Sequence, residues 1–225
     1  MSLILGIDTS TSSGSVALLK NGLLVGSQLY SIEKSHSNLL HVMIEQMMGN
    51  AGCKMNELSA VAVAEGPGSY TGLRIGVSAS KGLCLALDIP LIAVNTLEAM
   101  AYQMYRRSTE DVTYCPMLDA RRMEVYSALF DKDFNTIKPT APVILEDYAY
   151  EDILNSQKVL FFGDGSDKSK EVITHQNACF IDHIVPSAEE VALLAFKKYK
   201  TESFENVISF EPFYLKEFRN ASSFK

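Results

Sequence analysis

The sequence predicts an α/β protein of two lobes, in which a β-β-β-α-β-α unit occurs twice. Three observations carry this reading. The chain opens on an apolar strand, Leu3 to Asp8, followed by a small polar turn and a second strand. A buried run, Ala60 to Ala64, feeds the turn Glu65-Gly66-Pro67-Gly68-Ser69-Tyr70-Thr71-Gly72-Leu73-Arg74-Ile75-Gly76, which leads directly into helical spacing. A strand ending in aspartate with a returning partner then recurs at Met117-Leu118-Asp119 and Glu124 to Phe130. The repeat is one of pattern, not of matched identity.

The elements follow in order. Ser10 to Gly14 is small and polar enough to turn, Ser15 to Leu19 returns, and Asn21-Gly22 marks a hairpin into Leu23 to Tyr30. A helix runs from His36, and at 100° per residue its apolar Leu39, Leu40, Val42, Met43, Ile44, Met47, Met48 and Ala51 spread over roughly 240°, wider than one core face requires. In the glycine-rich turn Pro67 sets its own φ, the flanking glycines permit positive φ, and Ser69 or Thr71 supplies a cap. Free N–H groups at such a helix start suit phosphate or carboxylate. A tight strand-to-helix turn needs the same residues for geometry alone, so both readings stay open. In the helix Gly72 to Asp88, Arg74, Lys81 and Asp88 fall within about 40° of one another, and Gly76, Ala79, Ser80 and Gly82 let another backbone come close. The second lobe starts near Thr113. Val159 to Phe162 is a buried strand, and Ser187 to Tyr199 a helix with Ala188, Val191, Ala192, Leu194 and Ala195 on its apolar side. Two lobes, 1–110 and 111–225, follow, the second including the last helix and the tail.

With 225 residues, 47% of them hydrophobic, the chain buries a full core. Its most apolar stretch, Leu83 to Val94, is interrupted by Asp88 and Pro90, so no membrane span is expected. Cys53, Cys84, Cys115 and Cys179 are far apart and read as reduced, partly buried thiols of a cytoplasmic protein. A formal net charge of −7 repels nucleic acid, which excludes tight RNA binding by the chain alone. Lys197, Lys198 and Lys200 close a helix and suit its C-terminal dipole.

Catalytic constellations are missing from the pattern. His36 and His41 are five residues apart, so their rings diverge by about 140° on a helix and do not share a metal. No G-x-S-x-G and no nucleophile with a recognisable companion occur.

The duplicated lobes resemble the actin-like/sugar kinase/Hsp70 (ASKHA) superfamily. That resemblance implies a hairpin in each lobe that grips nucleotide phosphates and an aspartate on each first strand, here Asp8 and Asp119. Only the first turn, Thr9 to Gly14, has the small residues an anion nest needs. The second carries Arg121, Arg122 and Met123. Phe162-Gly163-Asp164-Gly165-Ser166 reads either as a remnant of an adenosine loop or as a strand-to-helix turn capped by Ser166 or Asp167. Asp8, Thr9, Ser10, Gly163 and Gly165 are thus the residues of a vestigial nucleotide site, with weak ATP or ADP binding as the expectation.

More narrowly, Leu5-Gly6-Ile7-Asp8-Thr9-Ser10, the Glu65–Gly82 segment, Pro116 to Tyr126 and Phe213-Tyr214-Leu215-Lys216 resemble the TsaB (YeaZ) family. This implies a partner of the threonylcarbamoyl transferase TsaD in modifying an adenosine of tRNA beside the anticodon, non-catalytic by itself. The H-x-x-x-H metal motif of TsaD is not found here. The two broad helices are implied to form a four-helix interface with TsaD or with a second copy. Leu39, Leu40, Met43, Met47, Leu73, Gly76, Val77 and Ser80 are the expected contacts, and Met47→Asp is expected to break the contact in a folded monomer. A TsaE-like ATPase is a further expected partner, with tRNA met only inside the complex. The competing reading is a small-molecule kinase using Asp8 and Asp119.

Overall fold

The computed structural model describes residues 2–31 and 36–216; positions 217–225 of the expected second lobe lie outside them. Strands β1 (Leu3–Asp8), β2 (Ser13–Lys20) and β3 (Leu23–Ser31) are followed by α1 (His36–Asn50), β4 (Ala60–Gly66), α2 (Tyr70–Leu87), β5 (Leu91–Asn95) and α3 (Thr96–Tyr105). The second half repeats this with β6 (Thr113–Asp119), β7 (Glu124–Phe130), β8 (Thr136–Ile144), α4 (Glu151–Leu154), β9 (Val159–Phe162), α5 (Ser166–Ser169), β10 (Ala178–Ile181) and α6 (Ala188–Lys200). Each half opens with the expected β-β-β-α-β-α and adds one strand and one helix. The sheets run β3-β2-β1-β4-β5 and, read from its far edge, β8-β7-β6-β9-β10. The two halves therefore have the same strand order. In each, three antiparallel strands continue into a parallel pair.

Period-two alternation sorts the first sheet's side chains between two helical layers. Leu5, Ile7, Val61 and Val63 face α1 and α2, and Ile4, Ala60, Ala62 and Ala64 face α6. The α6 face is built of small residues because that helix lies close. A β-carbon at Gly6 would stand 2.8 Å from Cβ of Ala192, so glycine is what lets the layers meet.

Helices cross between the two halves that meet near 110/111. That boundary divides the strands, but α6 buries Ala188, Val191, Ala192 and Ala195 on the first sheet. α3 does the reverse, packing Leu97, Met100 and Met104 with Tyr114, Leu118 and Phe162 of the second. The segment after α6 also returns to the first sheet. Glu205 N–H donates to Leu91 O (2.9 Å), Phe213 N–H to Glu65 O (2.8 Å), and Lys81 Nζ to the carbonyls of Ile208 (3.1 Å) and Phe210 (2.9 Å).

Capping follows the sequence at two helices. Ser69 Oγ accepts from Gly72 N–H (3.3 Å) at α2, and Ser187 Oγ from Glu189 N–H (3.2 Å) at α6. At α5 neither expected side chain caps; the Ser166 hydroxyl instead donates back to Gly163 O (2.7 Å). One turn of helix is too short to need more.

Candidate functional site

Two places gather the residues singled out above: the paired hairpins carrying Asp8 and Asp119, and the helix pair α1–α2.

The first hairpin is closed from within. Asp8 is fully buried, and its Oδ1 accepts from the Ser10 N–H (2.8 Å) and hydroxyl (2.7 Å). Its Oδ2 is buried without a partner among the described residues. Burial lifts the Asp8 carboxyl above its ordinary range, against the opposing pull of the Ser10 hydrogen bonds and the nearby His36. The turn's groups are spent on its neighbours. Thr9 Oγ1 donates to Gly72 O (2.7 Å), Ser10 O accepts from Ser69 N–H (2.6 Å), and Thr11 O lies 2.7 Å from Nε2 of His36. A β-carbon at Gly68 would run into Ser10 O and one at Gly72 into Thr9 O, so these glycines serve the close approach of α2 to the turn. These contacts support the geometric reading of the glycine-rich segment. The cavity left beside Thr9, Gly14 and His36 measures about 10 Å³, room for roughly one water and far below a nucleotide.

In the second hairpin a lysine side chain reaches the aspartate and the turn. Lys168 Nζ donates to Asp119 Oδ1 (2.5 Å) and to the carbonyls of Arg122 and Glu124 (2.6 Å each). Burial alone would raise the Asp119 carboxyl, but the Lys168 hydrogen bond, the Arg121 N–H and both cations outweigh it and hold Asp119 below the usual range. Arg121 and Arg122 both adopt positive φ (68° and 53°). Gly163 and Gly165 are buried against β6, where β-carbons would meet the backbone of Met117 and Leu118. The five residues expected to touch nucleotide are thus all buried, and the geometry does not favour the kinase reading.

The helix pair is different. Leu40, Met43, Met47, Leu73, Gly76, Val77 and Ser80, expected at a partner, face inward, and Leu39 is half-buried at the margin. Leu40, Met43, Met47 and Val77 pack with Leu5, Ile7, Val16 and Leu18. Met47 is only 5% exposed, and its sulfur would stand 3.3 Å from a β-carbon at Gly26. Met47→Asp would therefore place a charge among buried apolar side chains of this chain's own core. The reason is register: a helix with wide apolar girth offers two faces, and spacing alone does not say which meets the sheet.

The other face is open. Between α1 and α2 lies a groove of about 440 Å³ lined by Ser37 and His41 on one side and Ile75, Ser78, Ala79, Gly82 and Leu83 on the other. Ile75, Ala79 and Gly82 sit roughly 200° round α2 from Leu73. The charged stripe of α2 is taken up elsewhere, with Lys81 on the tail carbonyls and Arg74 over the Tyr70 ring at 5.3 Å. The signal for the groove was in the sequence, since Ala79 and Gly82 were among the small residues that admit a second backbone.

The C-terminal lysines have specific partners. Lys198 donates to Ala93 O (2.8 Å), and Lys197 and Lys200 lie over the rings of Tyr102 (4.5 Å) and Phe196 (4.4 Å). His175 and His183 stand apart from both places.

The duplicated five-stranded sheets with exchanged helices define an ASKHA-type fold. The ethanolamine utilization protein EutJ of Carboxydothermus hydrogenoformans shares the fold at TM-score 0.53 and 11% identity, covering 86% of this chain and 90% of that one. A family profile described as TsaD, tRNA N6-adenosine threonylcarbamoyltransferase, matches residues 30–216. The Bacillus subtilis tRNA threonylcarbamoyladenosine biosynthesis protein TsaB is 33% identical over 173 residues, which span 76% of this chain and 74% of that protein. YeaZ from Pseudomonas aeruginosa superposes with TM-score 0.84 at 27% identity, over 96% of this chain and 100% of that one. The chain belongs to the TsaB (YeaZ) family.

Proposed function

We propose that this chain acts in the biosynthesis of threonylcarbamoyladenosine in tRNA as the non-catalytic subunit that seats a homologous, TsaD-type transferase on its α1–α2 groove. The observation that carries this is the open apolar groove itself, about 440 Å³ between two helices whose opposite faces are already committed to the core. Small side chains along it, Ser78, Ala79 and Gly82, allow another helix to come within backbone distance. The match of a transferase profile over most of the chain supports a partner of the same fold, so that a related helix pair meets this one across a pseudo-twofold axis. A second copy of this chain competes for the same groove. Hairpins filled by the protein's own side chains leave turnover to the partner, with tRNA and a TsaE-like ATPase joining only in the assembly, in the cytoplasm.

The test is Gly82→Arg. Nothing lies within 4 Å of a β-carbon at Gly82, so the variant folds, yet the guanidinium fills the groove. Affinity for the transferase, measured by titration calorimetry, drops at least about tenfold, or ~1.4 kcal/mol. Unchanged affinity in a folded variant sinks the assignment.

A further inference from the structure

After α6 the chain runs back over the first sheet and then crosses to the second. Asn206 Oδ1 accepts from the N–H groups of Ile208 (3.0 Å) and Ser209 (3.1 Å), and Val207 and Phe210 pack against the core of the first sheet. With the Glu205 bridge to Leu91 and the two carbonyls held by Lys81, these contacts fix the stretch to β5 and α2. It then passes over the glycine-rich turn. Phe213 N–H donates to Glu65 O, and a β-carbon at Gly66 would stand 2.8 Å from the Phe213 carbonyl, so a glycine there is what lets the chain cross. The Tyr214 ring lies 4.9 Å from that of Tyr70, the first residue of α2. Two residues later the chain has reached the other sheet. Lys216 Nζ pairs with Glu124 Oε2, stands 3.4 Å from Ala120 O and lies 5.7 Å from the centre of the Tyr126 ring.

The two ends of this stretch are held by different forces. Backbone hydrogen bonds and buried apolar side chains hold its root, Glu205 to Phe213, and salt hardly affects these. Its tip is held by one ion pair between partly exposed side chains, one long hydrogen bond and a cation beside a ring. Such a pair contributes little in water, and less as salt screens it. We infer that residues 205–216 are a strap with a fixed root and a releasable tip, in which Lys216 leaves the second hairpin while the root stays on the first sheet. The tip joins the β6–β7 turn to the start of α2 through Tyr214 on Tyr70, so its release loosens the first turn of that helix. The segment Phe213-Tyr214-Leu215-Lys216, set apart in the sequence but without a part in either hairpin or the groove, thereby gains one. Since α2 goes on to line the groove with Ile75 and Ala79, the tip also adjusts that surface. This last consequence rests on the groove being the partner's seat; the strap itself does not.

Limited trypsin digestion followed by mass spectrometry tests the strap on the chain alone. The protease cuts after a lysine whose side chain enters its specificity pocket, so the rate of cleavage after Lys216 reads the tip. A synthetic peptide of residues 211–221 corrects for the protease's own response to salt. In low salt the protein is cut there at least about tenfold more slowly than the peptide, and about 1 M salt narrows that gap at least about threefold. Glu124→Gln keeps an oxygen but removes the charge; it is cut at least about threefold faster than wild type in low salt and gains little more from added salt. Hydrogen exchange separates root from tip. In Glu124→Gln the amides of residues 70–74 exchange faster, and those of 205–213 are unchanged. Cleavage of wild type as fast as the peptide in low salt, a rate indifferent to salt, unchanged exchange at 70–74, or faster exchange along 205–213 would each overturn the inference. Far-UV circular dichroism checks the variant's fold, and the salt response of wild type stands as a test without it.

Discussion

Lys168 Nζ lies 2.5 Å from Asp119 Oδ1, and this pair closes the second hairpin of the fold with a cation from the protein itself. The same ammonium holds the carbonyls of Arg122 and Glu124, on either side of a turn whose two arginines sit at positive φ without a glycine to ease it. One side chain thus ties both sides of the loop together.

Lys168→Met removes one donor from three acceptors at once. Hydrogen bonds to charged groups contribute about 1.5–3 kcal/mol, and with Asp119 half-exposed the lower figure applies. Thermal unfolding should show a lower Tm at pH 7. Because the folded-state pKa of Asp119 is depressed, the pair's contribution is present above the ordinary carboxylate pKa and is lost as pH falls through the depressed value, so the gap between variant and wild type closes in acid.

Asp8 behaves oppositely. Its pKa is raised above the ordinary 3.8, so the ionised, buried carboxylate costs stability at every pH above the raised value, and the cost is relieved as pH falls through it toward 3.8. Asp8→Asn keeps an oxygen for Ser10 and removes the charge. Urea unfolding at several pH values should find the variant more stable than wild type at pH 8, with the advantage shrinking in acid; a variant less stable at pH 8 would refute the argument.

Gly72→Ala and Gly82→Ala, ten positions apart on one helix, should differ in sign. The first drives a methyl into the Thr9 carbonyl, a backbone atom that cannot swing aside, and costs about 1–3 kcal/mol or more. The second meets nothing within 4 Å and gains about 0.5–1 kcal/mol from helix propensity. Chemical denaturation midpoints of the two proteins read this directly.

Thiol labelling separates the cysteines into two classes. Cys84 and Cys115 are buried, burial pushes the Cys84 thiol up to about 11 and Cys115 higher still, and both should resist an aromatic disulfide reagent at pH 8. Cys53 and Cys179 are partly exposed and should react in the native protein.

Strands and helices were legible from the sequence wherever one local rule decided them. Asn21-Gly22 set the β2–β3 hairpin, the unbroken apolar run Ala60–Ala64 set a buried strand, and Ser69 and Ser187 marked helix starts that the structure keeps. The cap at α5 was not legible, because Gly163 and Gly165 answer to the backbone of β6, a neighbour distant in sequence.

What the sequence by itself determined was the duplicated lobe, the two broad apolar helices and the mismatch between the two aspartate hairpins. These are properties of short stretches, set by spacing and turn chemistry. Only the tertiary structure decided which side of α1 and α2 is core and which is groove, that α6 returns to the first sheet, and that Lys168, His36 and Gly72 fill the hairpins. Each of these depends on where a helix lands against a sheet, and a difference of roughly half a turn in that placement moves every side chain to the other face without changing a residue.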